Sequence, residues 1–150
     1  MDAVVYPESS VVGFIQQNMV PIRIQLGTEP YSNHFNVKWT PTLITLDTEG
    51  KEHHRTTGFL APDELIPSLL LGIAKSHFDR EQFTEAMTTI ETLLKGHPKS
   101  DSAPEAIYLR GVSQYKNTDD PKPLKDAYEK LRADYPDNQW TKRAYPYRLL

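Results

Sequence analysis

The strongest constraint in this sequence is a pattern that occurs twice in its second half. Ala86-x-x-x-Ile90-x-x-Leu93-x-x-x-x-Pro98 returns, 38 residues later, as Leu124-x-x-x-Tyr128-x-x-Leu131-x-x-x-x-Pro136. Apolar residues three and four apart line one face of a helix, and a proline five residues after the last of them ends it. A helix of this kind cannot bury its stripe alone. Recurrence at a fixed period therefore implies stacked helical hairpins, each covered by its neighbour.

The flanking residues predict where the helices run. Pro62 suits a first helical turn, and Leu65, Leu69, Gly72 and Ile73 make one face of a helix reaching about His77. Asp79 is expected to cap the next helix with Gln82 as its reciprocal partner. That helix carries the continuous stripe Phe83, Ala86, Met87, Ile90, Leu93 and Leu94, and stops at Gly96-His97-Pro98. A third begins after Ser102 with Glu105 as reciprocal cap, and Ile107, Gly111 and Tyr115 share a face. A fourth opens at Asp120-Pro121 with Leu124, Ala127, Tyr128, Leu131 and Tyr135, and a short last helix follows Asp137-Asn138. The region from about residue 67 to residue 150 resembles tetratricopeptide repeats, in which a small residue at the helix crossing and a terminal proline recur at about 34 residues. The small residues of the first helices would be Ala74 and Gly111; Leu124 stands where a small residue is usual.

The first half reads differently. Pro7-Glu8-Ser9-Ser10 enters a helix capped by Ser9 that carries Val12, Phe14 and Ile15 and ends at Asn18. Val20 to Leu26 alternates apolar and polar residues, the period of a strand. Tyr31 to Phe35 fits one helical turn within a loop. Pro41, with no amide hydrogen, belongs at the first residue of a strand, and Thr42–Leu46 is a β-branched and aliphatic run. Asp47-Thr48-Glu49-Gly50 supplies the acceptor side chain and positive-φ residue of a tight turn, and the returning strand ends near Gly58-Phe59.

Trp39-Thr40-Pro41, the hairpin behind it and the helix opening at Ala61-Pro62-Asp63 together resemble the second half of a thioredoxin fold. The resemblance implies a cis Thr40–Pro41 bond and a backbone at Trp39, Thr40 and Pro41 that binds extended peptide. The expected fold class is thus α/β: a partial thioredoxin-like sheet over residues 1–76, then an all-α tetratricopeptide-like region over residues 77–150, the two sharing helix 62–77. The family's thiol chemistry needs a Cys-x-x-Cys pair, and these residues contain no cysteine. The strand and helix that precede Val20 in that fold are missing as well, since residues 1–19 read as a helix. Two readings follow. One is a non-catalytic interaction module. The other is a shortened thiol–disulfide oxidoreductase whose cysteines lie upstream of Met1. If the sheet is instead genuinely reduced, Val20–Leu26 is expected to pair with Thr42–Asp47 through a parallel crossover or with a strand of another chain. The exposed strand edges then favour association of copies.

Other chemistry finds little support. A net charge of −3 with no basic stripe argues against nucleic acid as a partner. No apolar run is long enough for a membrane span, and the start lacks a signal-peptide pattern, so a cytoplasmic location is expected. No metal site or cofactor is expected. His53 and His54 are neighbours on a strand and should point to opposite faces, and His34, His77 and His97 have no partner at ligand spacing. Asp47 and Glu49 read as solvated turn acids, and Lys142 and Arg143 as surface charge. Tyrosines 108, 115, 128, 135, 145 and 147 either line a groove of the repeat or pack between its helices, with Tyr108 and Tyr115 the groove candidates. The expected partner is a protein or an extended peptide.

Overall fold

The computed structural model describes all residues from Met1 to Leu150. An N-terminal layer holds α1 (Ser9–Asn18), a single helical turn α2 (Tyr31–His34) and the strands β1 (Thr42–Leu46) and β2 (Glu52–Thr57). Five helices follow: α3 (Pro62–Asp79), α4 (Phe83–Gly96), α5 (Ala103–Thr118), α6 (Lys122–Asp134) and α7 (Gln139–Ala144), with a closing 3-10 turn over Tyr145–Leu149.

The helical region forms because the stripes face one another. α3 packs on α4, α4 on α5, and α5 on α6, in sequence order. Ile90 and Leu93 of α4 are buried with Leu70, Leu71 and Ala74 of α3 and Ala103 and Ala106 of α5. Ile107 of α5 joins Ala127, Tyr128 and Leu131 of α6 and Ala144 of α7 in a second cluster. Each leucine or isoleucine among them, taken fully out of water, contributes about 1.5–3 kcal/mol. The close approach at the α5–α6 crossing depends on Gly111. A Cβ there would stand 2.7 Å from the Ala127 Cβ and 2.8 Å from the Pro123 carbonyl oxygen. The small partner in the second unit is therefore Ala127, one turn on from Leu124.

The helix starts differ from the expected caps. Glu8, not Ser9, precedes α1, with no side-chain cap. α3 continues two residues past His77, so Asp79 lies within it and not at the head of α4; Gln82 accepts from His77 Nδ1 at 2.8 Å instead of capping. Glu105 forms an ion pair with Lys75 of α3 at 2.6 Å, which bridges alternate helices, rather than closing a box on Ser102. α7 starts where expected, directly after Asn138, whose Oδ1 accepts from the Trp140 amide at 2.9 Å.

β1 and β2 form the whole sheet, an antiparallel pair running from Thr42↔Thr57 to Leu46↔Glu52. Gly50, at φ +82°, closes the turn, where Asp47 Oδ1 accepts from the amides of Glu49 and Lys51 at 2.9 Å each. The strand expected at Val20–Leu26 is not formed. That segment makes no ladder, and Val20 and Ile22 are 86 % and 79 % exposed. Strand alternation supplies a face to bury but not the neighbouring edge that satisfies backbone amides, and here no edge is offered.

The hairpin lies on α3, close enough that a Cβ at Gly72 would stand 3.0 Å from the Thr45 Cβ. α1 reaches the same helix: Val5 and Val11 are buried with Leu65 and Leu69. α3 thus contacts the N-terminal layer on one side and α4 and α5 on the other.

Candidate functional site

Around Trp39 the chain presents backbone and apolar side chains to solvent. Trp39 is 67 % exposed and Phe59 61 %, and Thr40 is exposed between them in sequence. The Thr40–Pro41 bond is cis, as is Glu29–Pro30. The Thr42 hydroxyl donates to the Trp39 carbonyl at 2.6 Å, which ties the approach to the strand.

The direction of the β1 amides follows from the bonds at its ends. The Pro41 carbonyl accepts from the Gly58 amide at 2.8 Å, and the Asp47 amide donates to the Lys51 carbonyl at 3.0 Å. Peptide groups alternate along an antiparallel strand, so residues 41, 43, 45 and 47 face β2. The N–H and C=O groups of Thr42, Ile44 and Leu46 therefore point to the free edge, where no backbone group meets them. Exposed large apolar residues concentrate in this half as well, with Ile24 and Leu26 at 43 % and 47 % beside the more open Val20 and Ile22.

At the far end of the repeat lies an open cleft of about 360 Å³, lined by Tyr128, Arg132, Pro136, Thr141, Lys142 and Tyr145. It holds two cations and no carboxylate, and neither Arg132 nor Lys142 has an acidic partner within ion-pair distance. Arg132 lies 5.7 Å from the Tyr128 ring centre, while Arg143 stacks on Trp140 at 4.5 Å. Lys142 thus lines a cleft, and Arg143 covers an aromatic ring.

The tyrosines divide. Tyr108 packs against Trp140 and Tyr147 with ring centres 5.2 and 5.9 Å away, and its hydroxyl meets that of Tyr147 at 2.9 Å. Burial, and then the bond to Tyr108, push the Tyr147 hydroxyl up to about 12. Tyr128 is buried, and Tyr135 donates to the Pro98 carbonyl at 2.7 Å. Tyr115 is half-buried with no hydrogen-bond partner for its hydroxyl.

The two neighbouring histidines correct the alternation expected of them. Thr45 pairs with His54 and Leu46 with Glu52, which leaves His53 as an extra residue in a β-bulge. Both side chains consequently reach α3. His54 lies 3.4 Å from both the Ser68 hydroxyl and Lys75 Nζ. His53, fully buried, sits between Asp47 Oδ2 at 2.9 Å from Nε2 and Asp79 Oδ2 at 2.7 Å from Nδ1. Asp47 is a structural acid, with a side chain only 8 % exposed. The His53 bond, aided by the Lys51 amide, lowers its carboxyl to about 2. Opposite nitrogens of one ring cannot converge on an ion, and no cluster of three or more potential ligands can hold a metal. Asp79 had no sequence signal for this role, because 26 residues separate it from His53, and Asp47, six residues away, read only as a solvated turn acid.

Residues 59–146 match the family model YfiO, described as an outer membrane lipoprotein. The chain belongs to the YfiO family. The match spans α3 to α7, more than half of the chain, and supports a tetratricopeptide-like helical region; the β1–β2 hairpin lies ahead of it. Among curated proteins none matches this chain, and among solved structures none does. No helix of this YfiO-family chain is long and apolar enough to cross a membrane.

Proposed function

We propose that this chain is a protein-interaction module in which the helical repeat carries a thioredoxin-like hairpin layer. The two units share α3, and the free edge of β1 beside Trp39, Thr40 and Pro41 takes an extended peptide as an added strand. The observation that carries this reading is the outward row of backbone groups at Thr42, Ile44 and Leu46, flanked by an exposed indole. Added strands gain affinity from such main-chain groups and specificity from side chains beside them. The exposed, strand-patterned Val20–Leu26 segment of a second copy has the right pattern to occupy the same edge, which makes self-association the competing occupant.

A second reading places binding on the repeat, favoured by the cationic cleft of Arg132 and Lys142, which would suit an acidic segment. One experiment separates the two. A fluorescent peptide copying Val20–Leu26 is titrated against the intact chain and against Trp39→Ala, Thr40→Asp, Tyr115→Ala and the double variant Arg132→Glu/Lys142→Glu. The edge reading expects saturable binding, slowed exchange of the Thr42, Ile44 and Leu46 amides, and weakening by changes at Trp39 and Thr40 alone. Binding indifferent to those two residues sinks it. An acidic peptide lost only with the charge-reversed cleft supports the second reading.

A further inference from the structure

We propose that His53 is a protonation-dependent latch that holds the β1–β2 hairpin on the helical repeat. Both of its ring nitrogens face carboxylate oxygens, Nε2 toward Asp47 at 2.9 Å and Nδ1 toward Asp79 at 2.7 Å. Ionised carboxylates only accept, so both nitrogens must donate, and a ring that donates twice is an imidazolium. The two bonds join different parts of the fold. Asp47 belongs to the hairpin turn, and Asp79 is the last residue of α3.

No other cation competes for either acid. Neither Asp47 nor Asp79 meets a Lys or Arg side chain within ion-pair distance. On β2, Glu52 is taken by Arg55 at 2.6 Å, and on α3, Lys75 is taken by Glu105 of α5. Asp79 also sits at a helix C-terminus, where the backbone dipole disfavours a negative side chain, so it depends on the His53 charge. Loss of the ring proton leaves a lone pair facing a carboxylate inside a buried contact. The Asp79 side, 41 % exposed, is the side that releases, because water can reach that acid.

Burial of the ring works against its charge, but the bonds to Asp47 and Asp79 outweigh it and hold the proton above the ordinary 6.5. Next door, burial and then the Lys75 charge move His54 the other way, so the neighbours separate in titration. A histidine raised in the folded state stabilises fully below its unfolded value, and that contribution is lost as pH rises through the folded one. The latch is thus closed in mild acid and opens on the alkaline side of 6.5. It stands whether or not the β1 edge docks a peptide.

The test is a heteronuclear NMR titration of the imidazole rings in the intact chain, paired with amide hydrogen exchange. At pH 6.5 the His53 ring is expected to carry protons on both nitrogens, with a midpoint above that of an ordinary histidine. Corrected for intrinsic rates, exchange of the β1–β2 ladder should accelerate at least tenfold as His53 deprotonates, while α5 amides do not respond. Asp79→Asn should move the His53 midpoint down and flatten that response. A neutral, singly protonated ring at pH 6.5 overturns the proposal, as does a hairpin whose exchange follows that of α5 across the titration. The wild-type titration decides the matter even if the variant fails to fold.

Discussion

Replacing Gly111 with alanine puts the packing of the repeat to a direct test. The added methyl would lie 2.7 Å from the Ala127 Cβ and 2.8 Å from the Pro123 carbonyl oxygen. Carbon atoms prefer separations of about 3.5–4.0 Å, so α5 and α6 must part by about 1 Å at their crossing. One of the two obstacles is backbone, and it cannot turn aside as a side chain would. Overpacking of this kind costs about 1–3 kcal/mol, and the upper half of that range applies where backbone must move. Alanine recovers about 1 kcal/mol through its better helix propensity. The net loss is about 1–2 kcal/mol, or roughly 2–8 °C in Tm for a chain of this size. Urea titration followed by far-UV circular dichroism measures it. Gly13→Ala serves as the control, since nothing lies within 4 Å of that Cβ, and it should gain up to about 1 kcal/mol. In a double-mutant cycle, Ala127→Gly should recover part of the loss by removing one of the two clashes. If Gly111→Ala stabilises the chain as Gly13→Ala does, the close α5–α6 crossing is wrong.

Three other outcomes are expected. Leu131→Ala, at a fully buried position on α6 in the cluster with Ile107 and Ala144, should cost about 2–5 kcal/mol in the same urea titration. Asp47, lowered from 3.8 to about 2, stabilises the folded hairpin above pH 4 and loses that contribution as pH falls toward 2. An acid titration of Asp47→Asn should therefore lack that step, and retention of the wild-type step would refute the assignment. Tyr147, held near 12, should ionise above the ordinary tyrosine value of 10 in an ultraviolet titration, and Tyr108→Phe should bring its midpoint down.

Much of the helical region could be read from residue order. The stripe Phe83 to Leu94 and its echo at Leu124 to Tyr135 announce α4 and α6, because a 3.6-residue period closed by proline has few other solutions. The turn Asp47–Gly50 was legible for the same kind of reason: its side-chain acceptor and its positive φ are local needs. Val20–Leu26 shows where local reasoning stops. Its alternation is that of a strand, yet a strand exists only where another edge receives its amides. The caps failed similarly. Gln82 and Glu105 had the spacing for reciprocal capping, but His77 and Lys75 were nearer once the helices packed.

By itself, then, the sequence determined the helical hairpins, their order, the tight β-turn and the lack of thiol chemistry in these residues. These follow from local periodicity, from the conformational preferences of proline and glycine, and from composition. Only the tertiary structure decided that Gly111 meets Ala127, that β1 keeps a free edge, and that His53 bridges Asp47 and Asp79. A single unpaired residue in β2 turned both histidines toward α3, and the packing of the hairpin on α3 then set acids 32 residues apart on the two nitrogens of one ring. Such meetings depend on distances through space, and the order of residues along the chain does not contain them.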